Sequence, residues 1–157
     1  MRDFTKRYRD KLIELLQNID IDAVTDIIKL LDENRGRIYI IGNGGSAATA
    51  SHMVNDLGAG LRRRGIRSFD VESLSDNTSV CSALANDIGY ENIFYMQLKN
   101  RLKKDDILIA VSCSGNSQNI LKAARYANKK NAKVVGVTGF DGGELKKMSD
   151  INFHVAT

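Results

Sequence analysis

A chain of 157 residues with 43% apolar and 27% charged residues has the composition of one folded domain that can bury a core, which excludes intrinsic disorder. No apolar run reaches the roughly 18 residues of a membrane span, Met1-Arg2-Asp3-Phe4-Thr5-Lys6 is followed by no signal-peptide core, and Cys81 and Cys113 are too few for a disulfide framework, so a reduced, cytoplasmic protein is expected. The net charge of +4 gathers in Arg62-Arg63-Arg64-Gly65-Ile66-Arg67 and residues 99–104; without interleaved aromatics or zinc-finger spacing these read as solvated loop ends, and neither nucleic acid nor membrane is expected as a partner.

The first 34 residues carry helical periodicity. Phe4, Tyr8, Leu12, Leu15, Leu16 and Ile19 recur at spacings of three and four, an amphipathic stripe that must be covered by the rest of the chain or by another subunit. A second short helix is predicted over residues 23–31. From Arg37 the character changes. Ile38-Tyr39-Ile40-Ile41 is a short apolar run, Gly42-Asn43-Gly44-Gly45-Ser46 a glycine turn, and Ala47 to Val54 a helical stretch. Residues 67–71 supply a second strand candidate, followed by helices toward Ala85 and Leu102. The strand–turn–helix unit recurs at Ile107-Leu108-Ile109-Ala110-Val111, with a serine-glycine turn and a helix predicted over 117–130. Residues 134–137 and 151–155 complete five strands.

Strands alternating with helices imply βαβ units and a parallel sheet covered on both faces. Right-handed crossovers make it a three-layer, doubly wound α/β sheet with an N-terminal amphipathic helix. With no linker or low-complexity stretch, residues 1–157 are expected as a single domain: 1–34 helical, 35–157 the sheet core.

Open α/β sheets bind ligands beyond the carboxyl ends of their strands. Two polar loops stand at such ends. In the 42–46 loop the glycines let backbone N–H groups come close to a ligand, but the spacing Gly42, Gly44, Gly45 lacks the third glycine of a dinucleotide fingerprint, which disfavours a nucleotide-dependent oxidoreductase. The loop Ser112-Cys113-Ser114-Gly115-Asn116-Ser117 is more informative. Asn116 or Ser117 can cap the following helix. One cap explains one serine; three hydroxyls and free N–H groups at a helix entrance make a phosphate site that needs no lysine. His52 and Asp56, four apart on a predicted helix, share one face and could hold a divalent cation, although such a pair alone is more often a surface contact.

Gly42-Asn43-Gly44-Gly45-Ser46 with His52, Ala85-Asn86-Asp87 and the 112–117 loop together resemble the sugar isomerase (SIS) domain, and within it the phosphoheptose isomerases, over the whole chain. The resemblance implies a five-stranded flavodoxin-like sheet, a homotetramer with sites at subunit boundaries, and aldose–ketose isomerisation of sedoheptulose 7-phosphate to a heptose 7-phosphate, an intramolecular oxidoreduction. It implies substrate contacts at Asn43, Gly44, Gly45, Asn86 and Asp87, and a phosphate loop of Ser112, Cys113, Ser114 and Ser117. Cys113 stands where threonine is common, and a backbone contact there tolerates the change. Zn2+ is implied at His52 and Asp56, with Asp56 also a substrate contact and the catalytic base, where the family usually has the longer glutamate. The family's remaining ligands and its acid–base histidine are expected on a helix past the last strand, beyond Thr157; His154, inside the strand pattern, does not replace them. The residues leave open whether the chain is a truncated form or lacks half of that pair. The competing reading is a non-catalytic SIS module that binds a sugar phosphate, of the type associated with replication initiators.

Overall fold

The apolar run beginning at Ile38 becomes a strand buried from end to end, as a run without polar alternation must be when helices cover both faces of a sheet. The computed structural model describes residues 1–157. In chain order it contains α1 (Arg2–Gln17), α2 (Ile21–Glu33), β1 (Ile38–Gly42), α3 (Gly45–Val54), a π-helical segment Asn55–Gly60 running into the single turn α4 (Leu61–Arg63), and β2 (Val71–Ser73). Then follow α5 (Thr78–Ile88), a 3₁₀ turn Tyr90–Asn92, α6 (Ile93–Leu98), β3 (Ile107–Ser112), α7 (Gln118–Lys129), β4 (Lys133–Thr138), α8 (Gly143–Met148) and β5 (Ile151–His154). The five strands are parallel in the order β2-β1-β3-β4-β5. This is the doubly wound, flavodoxin-like arrangement expected, and its order reverses between β1 and β3.

Alternation along the strands feeds two cores. Tyr39, Ile41, Leu108, Ala110 and Val134 face one side, where α6 and α7 bring Phe94, Leu98, Ile120 and Leu121. Ile38, Ile40, Ile107, Ile109 and Val135 face the other, against α2 and α3. Side-chain caps set two helix starts: Asp20 accepts the Ala23 N–H at 2.9 Å and Asn77 the Val80 N–H at 3.0 Å. At the β4–β5 junction Asp150 accepts from Lys133 Nζ at 2.7 Å and the Val134 N–H at 2.8 Å. Burial alone would push its carboxyl up; the Lys133 and Val134 bonds outweigh that and hold it below the ordinary carboxylate range.

Two expectations need correction. The second helix is longer than residues 23–31, because Asp20 caps it upstream. The second strand is Val71–Ser73 and not 67–71: Arg67 instead bonds to Asp32 and Asn34 and lies 4.6 Å over the Phe69 ring, so pairing with β1 begins only at Val71. The α1 stripe, for which the sequence allows covering by the chain or by another subunit, is left uncovered by the chain. No residue of α1 is buried, and Phe4 and Tyr8 are 64% and 67% exposed, because the helix meets the body only where Leu15 and Ile19 approach the end of β5.

Candidate functional site

Gly42 at the end of β1 pairs with Val111 near the end of β3, so the 42–46 and 112–117 loops emerge side by side where the strand order reverses. That crevice is where an open α/β sheet can receive a ligand.

The 112–117 loop is shaped from outside. Gly115 has φ +62°, and a Cβ there would lie 2.0 Å from the Gly142 carbonyl oxygen, so the β4–α8 turn fills the space that any side chain would need. The same turn fastens the loop: Gly139 N–H donates to Cys113 O at 2.9 Å, Leu145 N–H to Gly115 O at 2.9 Å, and Glu144 N–H to Asn116 Oδ1 at 3.1 Å. Asn116 thus caps α8 and not the following helix. Ser117 is the N-cap residue of α7, but its hydroxyl makes no cap bond. The loop's hydroxyls are therefore not consumed by capping. The N–H groups of Cys113, Ser114, Ser117, Gln118 and Asn119 make no hydrogen bond within the chain, as expected at a helix entrance. Ser112 is 5% exposed, Ser114 is exposed, and the Cys113 side chain points to solvent while its carbonyl is engaged. Free N–H groups, hydroxyls and the positive end of α7 suit a dianion.

The 42–46 loop turns tightly, with Ser46 N–H on Asn43 O and Ala47 N–H on Gly44 O, both at 3.0 Å. A Cβ at Gly45 would meet nothing within 4 Å, and Gly45 has no positive φ. Neither packing nor backbone conformation calls for glycine at that position; close approach by a ligand would. Asn43 and Ser117 line one cleft of about 870 Å³ together with Tyr90, Glu91, Asn119 and Lys122. Tyr90 and Asn119 both bond the Asn43 side chain, and neither was expected from the sequence. A polar residue on the buried face of α7, four before Ala123 and eight before Ala127, was the available signal for Asn119.

The remaining expected residues stand apart from this cleft. Asn86 donates to Asp87 Oδ1 at 2.9 Å on the last turn of α5, a few residues before the Tyr90 that touches Asn43. His52 Nε2 and Asp56 Oδ2 lie 3.3 Å apart and are 75% and 62% exposed, as one helical face permits. Asp56 lies in the first turn of the π-helical segment and lines a second cleft of about 650 Å³ with Arg63 and Arg64. Two zinc ligands at about 2.0–2.1 Å in tetrahedral geometry are themselves about 3.3 Å apart, so this donor pair suits two corners of a zinc site. No third His, Cys, Asp or Glu of the chain gathers there. His154 lies half-buried in β5 and not in either cleft. Thr138 Oγ1 donates to Asn152 Oδ1 at 2.8 Å and stands 3.0 Å from His154 Nδ1.

Residues 3–139 match the SIS domain family. The chain is 41% identical over 148 residues to a phosphoheptose isomerase of Helicobacter pylori (strain Shi470), covering 93% of this chain and 75% of that one. It is 36% identical over 147 residues to a phosphoheptose isomerase of Aliarcobacter butzleri, covering 92% and 76%. Among solved structures, a phosphoheptose isomerase from Francisella tularensis superposes with a TM-score of 0.87 at 28% identity, covering 99% of this chain and 84% of that chain. One from Neisseria gonorrhoeae gives 0.84 at 26%, covering 98% and 86%. The chain belongs to the SIS domain family, on its phosphoheptose isomerase branch.

Proposed function

We propose that this chain is an aldose–ketose isomerase of carbohydrate metabolism that converts sedoheptulose 7-phosphate to a heptose 7-phosphate. The observation that carries the reading is the 112–117 loop: hydroxyls left uncapped and a row of unpaired N–H groups, braced by the β4–α8 turn, at the switch point of the sheet. The names of the relatives at 36–41% identity support the same substrate and reaction.

In the proposed mechanism Ser112, Ser114 and Ser117, with the first N–H groups of α7, hold the phosphate. Its binding energy then positions the carbons at the other end of the sugar. The Cys113 backbone takes part in this loop, and Asn43, Gly44, Gly45, Asn86 and Asp87 contact the sugar. The Asp56 carboxylate takes the proton from the carbon beside the carbonyl. The C–H electron pair becomes the C=C bond of an enediol as the carbonyl oxygen takes a proton from a second acid–base group, which recovers one from the neighbouring hydroxyl in the following step. The proton held by Asp56 is then delivered to the former carbonyl carbon, and the neighbouring hydroxyl gives up its proton to become the new carbonyl. No electrons leave the sugar. His52, beside Asp56, fixes the carboxylate's orientation. A divalent cation with His52 and Asp56 among its ligands would supply Lewis acidity toward the carbonyl oxygen; its other ligands would be donors additional to this pair.

We further propose that the working form is a homotetramer, with a second copy of the chain covering the α1 stripe; sedimentation velocity reads this directly. Turnover of sedoheptulose 7-phosphate before and after Asp56→Asn tests the isomerase reading. The substitution keeps the shape and removes the base, and should lower kcat by about 10²- to 10⁴-fold while the affinity for inorganic phosphate is unchanged. Equal turnover would refute Asp56 as the base. A protein that binds the sugar phosphate and never turns it over would instead be the non-catalytic binding module.

A further inference from the structure

The Asn43 side chain is held by three hydrogen bonds whose directions can be assigned from heavy atoms alone. The Ile120 N–H points at Asn119 at 3.0 Å, and an N–H can only point at an oxygen, so this atom is the Asn119 Oδ1. The Asn119 Nδ2 is then a donor, and at 2.8 Å it donates to the Asn43 Oδ1. The Asn43 Nδ2 donates back to Asn119 Oδ1 at 3.0 Å, closing a reciprocal amide pair. Tyr90 Oη donates to the same Asn43 Oδ1 at 2.9 Å. Asn119 is 2% exposed, so the pair is shielded from competing water on that side.

The count of lone pairs and protons gives the consequence. An amide oxygen has two lone pairs, and Asn119 and Tyr90 occupy both on Asn43. Of its two N–H protons, one is committed to Asn119. What Asn43 can offer the cleft it lines is one N–H and no acceptor. We propose, on the reading of this cleft as the sugar-phosphate site, that Asn119 is a positioning residue which, with Tyr90, fixes Asn43 as a donor toward an acceptor oxygen of the bound sugar. Asn119 belongs to the first turn of α7, the helix whose entrance holds the proposed phosphate site, so one helix sets both the anchoring loop and the donor on the facing loop.

The test compares the affinities of sedoheptulose 7-phosphate and of inorganic phosphate by calorimetry. Asn119→Asp keeps the shape and the acceptor for Ile120 N–H, but removes the donor to Asn43 and sets an oxygen against an oxygen. It should weaken sedoheptulose 7-phosphate about ten-fold beyond any loss for inorganic phosphate, which alone reads the carboxylate charge added beside the α7 entrance; Asn43→Ala should show a sugar-phosphate loss of the same size with inorganic phosphate within about two-fold. Measured relative to inorganic phosphate, the Asn43→Ala/Asn119→Asp double variant should bind sedoheptulose 7-phosphate no more weakly than Asn43→Ala alone, because both changes remove one contact. Tyr90→Phe, an exposed change that threatens no packing, should weaken the sugar phosphate about three-fold and also add nothing to Asn43→Ala. Parallel losses for sugar phosphate and phosphate in Asn119→Asp, or multiplicative losses in the double variants, would overturn the positioning role. If Asn43→Ala itself binds like the parent, the assignment of the cleft to the sugar fails and the role of Asn119 falls with it. If Asn43→Ala weakens binding and neither Asn119→Asp nor Tyr90→Phe does, the cleft stands and only the positioning role is refuted.

Discussion

Replacing Gly115 by alanine should damage the proposed phosphate loop by an amount that can be worked from its surroundings. The residue has φ +62°, and holding a side-chain-bearing residue there costs about 1–2 kcal/mol. The added Cβ would stand 2.0 Å from the Gly142 oxygen, so loop and turn must separate by more than 1 Å, as carbon–oxygen contact distances are roughly 3.2 Å. Separation lengthens the Leu145 N–H to Gly115 O and Gly139 N–H to Cys113 O bonds, each now 2.9 Å and each contributing about 1 kcal/mol. The total is about 3–4 kcal/mol, within the 5–15 kcal/mol that typically keeps a domain folded. Gly65→Ala is the matched reference: φ is +68° and nothing lies within 4 Å of the added Cβ, so only the backbone cost of about 1–2 kcal/mol applies. Urea unfolding of the two variants should differ by about 2 kcal/mol, with a Gly115→Ala melting temperature lower than the parent's by about 6–16 °C. Calorimetric titration with inorganic phosphate should show binding lost in Gly115→Ala and retained in Gly65→Ala. Equal stabilities with equal phosphate affinity would refute the claim that the β4–α8 turn dictates the loop's shape.

Two further outcomes follow from the same geometry. Gly45→Ala should leave stability unchanged or raise it by about 0.5–1 kcal/mol, since the position opens α3 with free space around it, yet weaken sedoheptulose 7-phosphate binding; thermal unfolding and titration read the two effects separately. Asp150→Ala should cost about 1–2 kcal/mol at pH 7 through loss of the Lys133 and Val134 bonds. The folded pKa of Asp150 is depressed, so its contribution is fully present above the unfolded carboxylate pKa of about 3.9. It is lost as pH falls through the lower folded value, and the gap between parent and variant in urea unfolding should narrow below about pH 4.

Where hydrophobic pattern decides structure, the sequence is readable. The runs at 38–41, 107–111 and 134–137 are strands because both faces are covered, and α7 lies within one residue at each end of its expected 117–130 span. The shared face of His52 and Asp56 follows from helical spacing alone. Pattern fails at β2, a three-residue edge strand that carries Glu72, where Phe69 is apolar for reasons of packing and not pairing. It fails also for caps and amide pairs made across the chain. Asn116 reaches Glu144, 28 residues on, and Asn43 reaches Asn119, 76 residues on. Local spacing carries no record of such partners; only a polar residue on an otherwise apolar helix face hints at one. The α1 stripe is legible as amphipathic, but a single chain does not specify what covers it.

The brace on the 112–117 loop also sets an order of events. Each long-range bond that fixes residues 113–116 comes from residues 139–145, and the Cβ space of Gly115 is closed by Gly142. As the chain leaves the ribosome, β1, β3 and α7 can assemble before that turn exists. The loop, however, keeps its conformational freedom until β4 and the entrance of α8 have arrived. Ligand-binding competence is thus acquired only once residues 139–145 have been made, after most of both cores is available to form. A sugar phosphate present in the cell can then stabilise only chains that have completed the brace.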